Sequence, residues 1–322
     1  MAQAKSLSAK PTSKQIQSEI RIRSTFTRSY AMTVPNSGFR SFFSMDKSVF
    51  SFVDKRLNAD TAATARRLLT VGAGGLHLAV LSEIGEVWAL QAWHFQRPGP
   101  TEQHIRMVMG QEPVLQWTYK HTSWAWAEPQ ATLVPRRLFH PDHLSDYFQI
   151  LLPAGGQYHY GYESLSVFDC FLVYAIETSL HTWSEQHRPS GDSSQHLAGA
   201  LLQNFHHIAD FSDHQVFVHF RFQSLQIAVF ERRNLLFFNS FEYQHANDAL
   251  YYVLLAYEQF KLNPLDLPLM LSGSLVEDSE IFRQLKRYFR TLRFSPLPSS
   301  IQLPQSAVEL PAHYWFEVFS LL

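Results

Sequence analysis

The densest concentration of side chains able to do chemistry is His206, His207, Asp210, Asp213 and His214. Imidazole and carboxylate are the donors that zinc and other transition metals take. His206 and Asp210 are four residues apart and share a face if the segment is helical. With 16 His in the chain, such clusters also arise without a site. The stretch is read as a polar connection, and no metal site is assigned to it. His140 and His143 flank Pro141-Asp142 at a helix start, where capping and solvent exposure account for them. Cys170 is the only thiol. One Cys forms no internal disulfide and no thiolate-rich zinc site, and inside an apolar run it is inert packing.

The sequence of glycines Gly72-Ala73-Gly74-Gly75 invites a dinucleotide reading. However, His77 stands where a third glycine is needed, and the glycines precede a strand rather than opening a helix, so they are read as a loop or bulge. Neither a Walker-type phosphate loop nor a G-x-S-x-G elbow is present. Two-metal nuclease chemistry needs several carboxylates around the ions. LHLAVL (76–81) and QVFVHFRF (215–222) contain none. No catalytic residue is therefore expected. Arg283, Lys286, Arg287 and Arg290, with Arg293 beyond, form one basic helix face. It is either solvated or a contact for a partner or an anionic membrane.

These residues must be positioned by a chain that alternates strands and helices. A strand-rich region begins near Arg66, and within it LHLAVL and VWALQAWHF (87–95) flank a short Gly-containing turn and read as a hairpin. A helix is expected from Thr101, as cap, to about Met109. Strands are expected in QWTYK, SWAWA and ATLVPRRLF, then a helix over 141–152 with Pro141 early. VFDCFLVYAI (167–176) is a continuous apolar run, the mark of a central strand covered on both faces, followed by a helix over 177–186. RPSGDSS (188–194) reads as a surface loop before a helix through His207. Then come three strands, 215–222, 225–232 and 235–243, with Val216, Val218, Phe220 and Phe222 on one face and His219 and Arg221 on the other. A helix over 247–260 with Asn247 or Asp248 as cap, a strand at 267–273 and an amphipathic helix from Ile281 to Leu292 complete the order. HYWFEVFSLL (313–322) reads as a docked helix or strand.

The 322 residues suffice for about two domains. A content of 46% hydrophobic and 17% charged residues, with 26 Phe, 13 Tyr and 7 Trp, excludes a disordered chain. A lone Cys, the lack of an apolar run long enough to span a bilayer and the lack of a signal-peptide core predict a cytoplasmic protein. Residues 1–45 carry seven basic residues and one acid, while the remaining 20 basic and 27 acidic residues leave the body at −7. An acidic body argues against nucleic-acid binding. The basic arm reads as a disordered leader, a targeting segment or a nucleic-acid arm, and translation starts at Met1 or at Met45. The expected boundaries are a leader 1–45, one domain over 46–212 and another over 213–322.

The stretch NSFEYQHANDALYYVLLAYEQFKL (239–262), followed by LMLSGSL (269–275), resembles an uncharacterised bacterial family, a domain of unknown function. The resemblance covers about residues 49–322 and is strongest from Val216 to Phe294. It implies an α/β (α+β) chain of two related domains with an actin-like, ribonuclease-H-like ATPase fold. Each would be a mixed sheet that starts with an antiparallel meander and is flanked by helices. The family is distantly similar in architecture to the pilus-assembly protein PilM and the cytoplasmic part of the secretion protein GspL, both membrane-apparatus adaptors. Fold kinship alone does not give function.

The actin-like class holds nucleotide in a cleft, with a D-x-G-[S/T] hairpin turn from each domain on the phosphates and a glycine pair against the adenosine. On that pattern the first turn is Glu83-Ile84-Gly85-Glu86, with Glu86 where a hydroxyl should donate. Like charges 4 Å apart repel by about 1 kcal/mol in water and about 4 kcal/mol at an effective dielectric of 20. The second turn, Arg221-Phe222-Gln223-Ser224, lacks both Asp and Gly, and Leu271-Ser272-Gly273-Ser274 keeps one glycine of two. If ATP with Mg binds at all, Gly85, Gly273 and Ser274 are the residues implied. The resulting expectation is a scaffold or adaptor without catalysis or cofactor that acts on an unspecified protein partner, with peripheral membrane association as a further option. The alternative is a divergent ATPase or sugar-kinase-like enzyme that uses the interdomain cleft.

Overall fold

Two mixed sheets of matching order organise the chain. The computed structural model describes residues 48–322 except 96–98, 153–154, 188–191, 212 and 308, so the expected basic leader and Met45 lie outside the described residues. In chain order the elements are β1 (Ser48–Val53), β2 (Arg66–Gly72), β3 (Gly75–Leu81), β4 (Val87–His94), α1 (Thr101–Gln111), β5 (His121–Trp126), β6 (Ala131–Pro135), β7 (Tyr158–Leu165) and β8 (Cys170–Glu177). There follow α2 (Thr178–His187), β9 (Ser193–His196), α3 (Leu197–Ile208), β10 (Gln215–Arg221), β11 (Ser224–Glu231), β12 (Asn234–Glu242) and α4 (Ala246–Gln259). The chain closes with β13 (Leu269–Gly273), α5 (Glu280–Tyr288), β14 (Leu292–Phe294) and α6 (Phe316–Phe319).

The first sheet runs β1-β4-β3-β2-β5-β9 and the second β12-β11-β10-β13-β14. In each, an antiparallel meander (β2–β3–β4 or β10–β11–β12) is extended by two parallel strands beside its first strand. β1 adds an antiparallel edge to the first sheet. Between β5 and β9 the chain builds a separate antiparallel sheet, β6-β8-β7. One apolar cluster gathers Leu201 and Phe205 of α3 with Phe217, Phe230 and residues 314–321. A second packs Val71, Leu78, Trp124 and Trp183 on the first sheet.

Several elements differ from the sequence expectation for physical reasons. β2 begins Arg66-Arg67, a poor strand signature, but Arg67 is buried, donating to the Leu115 carbonyl at 2.9 Å with its guanidinium 4.8 Å from the Tyr119 ring. β2, not LHLAVL, is therefore the first strand of the meander. QWTYK is not a strand; pairing with β2 starts at His121. Polar β9 starts at the end of the expected loop and pairs in parallel with β5. The apolar run 167–176 is broken at Asp169, whose φ of 49° ends a 3-10 turn, and the strand itself is Cys170–Glu177. It is the middle strand of the small sheet, with Leu172 in one cluster and Val173 and Ala175 in another, so both faces are covered as its composition demands.

Residues 141–148 form 3-10 turns broken at His143 rather than an α-helix. Thr101 is the first residue of α1 and Pro100 its cap. For α4 the cap is His245, and the Asp248 carboxylate accepts from the backbone N–H of Gln244 and His245 at 3.1 and 2.9 Å. That is the role of an acid at the third helical position.

Candidate functional site

The site lies where the first hairpin turns of the two meanders meet. Ala73–Gly74 join β2 to β3, and Phe222–Gln223 join β10 to β11. A Cβ on Gly74 would stand 2.5 Å from the Phe222 carbonyl oxygen, closer than real Cβ atoms approach. Only glycine lets the two backbones come this near. The Phe222 ring stacks on His94 of β4 at 4.9 Å between centroids, fastening the second turn to the first sheet.

Arg221 fills the remaining junction. It ends β10, and its side chain is almost fully buried. Nη2 donates to the Gly75 carbonyl at 3.2 Å, Nη1 to the Ala127 carbonyl at 3.1 Å, and Nε to the Glu317 carboxylate at 3.0 Å. One guanidinium thus ties the first turn, the end of β5 and the C-terminal segment together. Arg suits this because its planar fork aims several donors in fixed directions.

Glu317 is the acceptor that balances it. A 3-10 turn over Ala312–Trp315 leads into α6, and Trp315, Phe316, Val318 and Phe319 are buried around the acid. Oε2 takes Arg221 and also His219 Nε2 at 2.9 Å. Oε1 accepts from Thr70 Oγ1 and lies 2.8 Å from His77 Nδ1. His219 Nδ1 in turn meets Ser272 Oγ at 3.0 Å. The carboxylate therefore joins β2 and β3 of one sheet to β10 of the other. Burial opposes its ionisation, but Arg221, His77 and His219 outweigh burial and hold its pKa well below the ordinary value. Burial, together with Arg221 and His77, lowers the pKa of His219, so it donates Nε2–H to the carboxylate as a neutral ring.

A second buried acid stands at the same junction. Glu128 follows β5, and burial, with Glu177 adding repulsion, pushes its pKa up to about 7 against the pull of Arg221. It accepts a hydrogen bond from the Ala73 N–H of the first turn, while its Oε1 has no partner among the described residues. His196, the cap of α3, presents Nε2 to the Glu128 carbonyl at 3.0 Å, and burial lowers its pKa to about 3.

Of the residues singled out from sequence, the turn Arg221–Ser224 forms half of this junction, and Gly273 and Ser274 reach it. Gly273 ends β13 with φ +86°, and a Cβ there would sit 2.0 Å from the Phe220 carbonyl oxygen. The Ser274 N–H donates to that same oxygen at 2.7 Å. Gly85 does not reach it. It turns β3 into β4 at the other end of β3, where Glu86 pairs with Arg56 at 2.7 Å. The first turn of the meander is Ala73–Gly74, inside the stretch read as a loop or bulge.

The His/Asp cluster is dispersed into other contacts. His206 packs on Phe168, Asp213 pairs with Arg232 at 2.9 Å, and His214 lies 3.6 Å from Glu231. Among the described residues no three His, Cys, Asp or Glu side chains are grouped to hold a metal ion. His140 caps its turn, its Nδ1 accepting the Asp142 N–H at 3.3 Å, and Cys170 is buried.

Sequence reading missed Glu317, Thr70, His77 and the roles of His219 and Arg221. Two signals pointed to them. Glu317 is the only acid in HYWFEVFSLL, and His219 and Arg221 alternate with apolar residues on a strand whose polar face is also buried. Two surface cavities, of about 510 and 620 Å³, lie elsewhere, lined by Val167, Phe211 and Leu235 and by Met109, Trp117 and Trp183 respectively.

The architecture is shared with known structures. A Bacteroides thetaiotaomicron protein with an actin-like ATPase fold and unknown function superposes with a TM-score of 0.65 at 18% identity, over 74% of this chain and 93% of that one. The fold is therefore actin-like, and that degree of likeness carries fold alone. The PilM–PilN type IV pilus biogenesis complex aligns with a TM-score of 0.48 at 14% identity, over 80% of this chain and 97% of that one. A Clostridium difficile activator of 2-hydroxyisocaproyl-CoA dehydratase with bound ADPNP aligns with a TM-score of 0.39 at 7% identity, over 80% and 92%. No curated protein sequence matches the chain. Residues 54–292 match the model of a family described as protein of unknown function (DUF3822), and the chain belongs to that family.

Proposed function

We propose that this protein is a non-catalytic actin-like scaffold or adaptor that works through protein–protein contacts. The observation that carries this reading is the junction of the two hairpin turns, where the Arg221 guanidinium bonds Gly75, Ala127 and Glu317. In the actin-like class that position faces phosphate. Here the Ala73 N–H is already taken by the Glu128 carboxylate, and the turns approach to backbone contact at Gly74 and Phe222. To admit a nucleotide, the molecule would have to break the hydrogen bonds of a buried guanidinium and expose a carboxylate to phosphate. Breaking a buried ion pair costs about 3–5 kcal/mol.

Equilibrium dialysis of the full chain against Mg-ATP and Mg-ADP tests the reading. No saturable binding is expected up to millimolar nucleotide. Saturable binding of either nucleotide would replace the scaffold with the nucleotide-dependent alternative.

A further inference from the structure

Among the described residues, the exposed face of α5 carries a dense group of cations. Ser279 caps the helix by accepting the Phe282 N–H at 3.2 Å, and buried Phe282, Leu285 and Phe289 fasten it to the core. That docking turns Arg283, Lys286 and Arg287 outward; Arg290 follows the helix and Arg293 stands on β14, both also exposed. None of the five has an ion-pair partner among the described residues; exposed Arg56, Arg106, Lys120, Arg136 and Arg232 each have one, and exposed Lys55, Arg137 and Lys261 have none. The cluster is set in a body of net −7 over residues 46–322. Such a concentration of like charge is maintained against its own repulsion.

We infer that this face, together with the outer edge of β14, is a docking surface for an acidic, extended segment of a partner protein. The inference rests on the scaffold reading and names the chemistry of its partner. Three features select that partner. Four of the five cations are Arg, whose fork pairs with carboxylates in two parallel hydrogen bonds, whereas a membrane surface is served equally by Lys. Arg283 and Arg287 are four residues apart on the helix, about 6 Å along its axis. Alternate side chains of an extended strand repeat at about 6.6–6.8 Å, so an acidic residue at every second position meets successive turns of α5. Finally, β14 is the terminal strand of its sheet, paired only with β13 among the described residues, and offers main-chain groups for strand addition.

The test uses a fluorescent peptide of alternating Glu and Ser, phosphatidylserine-containing vesicles, and the full chain as wild type and as R283Q/K286Q/R287Q/R290Q/R293Q. All five sites are exposed, so the variant folds with the wild-type melting profile. The wild type should bind the peptide saturably, more weakly as salt rises, and the variant should bind it about tenfold or more weakly. Vesicles should not co-sediment the wild type. Peptide binding unchanged in the variant would overturn the inference, as would no peptide binding at all. Vesicle binding without peptide binding would overturn it in favour of a membrane contact. None of these failures touches the scaffold reading, which falls only if nucleotide binds in the cleft.

Discussion

At the scale of single residues, the account turns on Glu317 and Glu128, two buried acids held in opposite states. Glu317 is charged because three cationic or polarised partners outweigh burial. E317Q keeps the shape but leaves Arg221 buried without its counter-charge, and denaturant melts should show a loss of about 3–5 kcal/mol. Adding R221M to E317Q should cost less than the two changes made separately, because the partners share one network. Glu128 follows the opposite sign. Its folded pKa, about 7, lies above the value of an unfolded carboxylate, so its contribution to stability is full below that unfolded value and is lost as pH rises towards 7. E128Q should therefore gain on the wild type between about pH 5 and pH 8. A difference independent of pH would show that Glu128 ionises normally in the fold.

At the scale of elements, the meander β10–β11–β12 was legible because its apolar alternation and short turns are local. So were the apolar stripe of α5 and the strand β13. The elements that escaped reading are set by distant contacts. β2 is a strand because Arg67 has the Leu115 carbonyl and the Tyr119 ring to receive it, and polar β9 is one because β5 offers a parallel edge. The candidate site was legible at its second turn, Arg221–Ser224, and at Gly273 and Ser274. Its charged centre comes from residues 70, 77, 219, 221 and 317, whose meeting no local pattern encodes. The same dependence makes the turn-to-turn contact sensitive. G74A places a methyl group against the Phe222 carbonyl and should cost about 1–3 kcal/mol, with both turns losing amide-exchange protection together. The C-terminal segment is equally integral. Trp315 is fully buried against β1 and the His77 ring, and W315A should cost about 3–5 kcal/mol. A loss below 1 kcal/mol would mean that the segment is loosely held.

At the scale of the whole molecule, the chain keeps both sheets of an actin-like fold and closes their meeting point with its own side chains. Arg221 and Glu317 bond across the position where this class presents phosphate-binding turns, and α6 is buried behind them. Among the described residues no helix is long and apolar enough to cross a membrane. On the proposed reading the functional surface is the outside of the molecule, where the exposed cations of α5 stand. The most direct test is a thermal-unfolding titration of the full chain with Mg-ATP, Mg-ADP and a magnesium-only control. A ligand at 100 times its dissociation constant adds about 2.7 kcal/mol, which for a chain of this size moves the midpoint by several degrees. The account predicts no nucleotide-specific shift at millimolar concentration. A saturable upward shift with adenine nucleotide would contradict it, because the junction of the two turns would then be a site that opens.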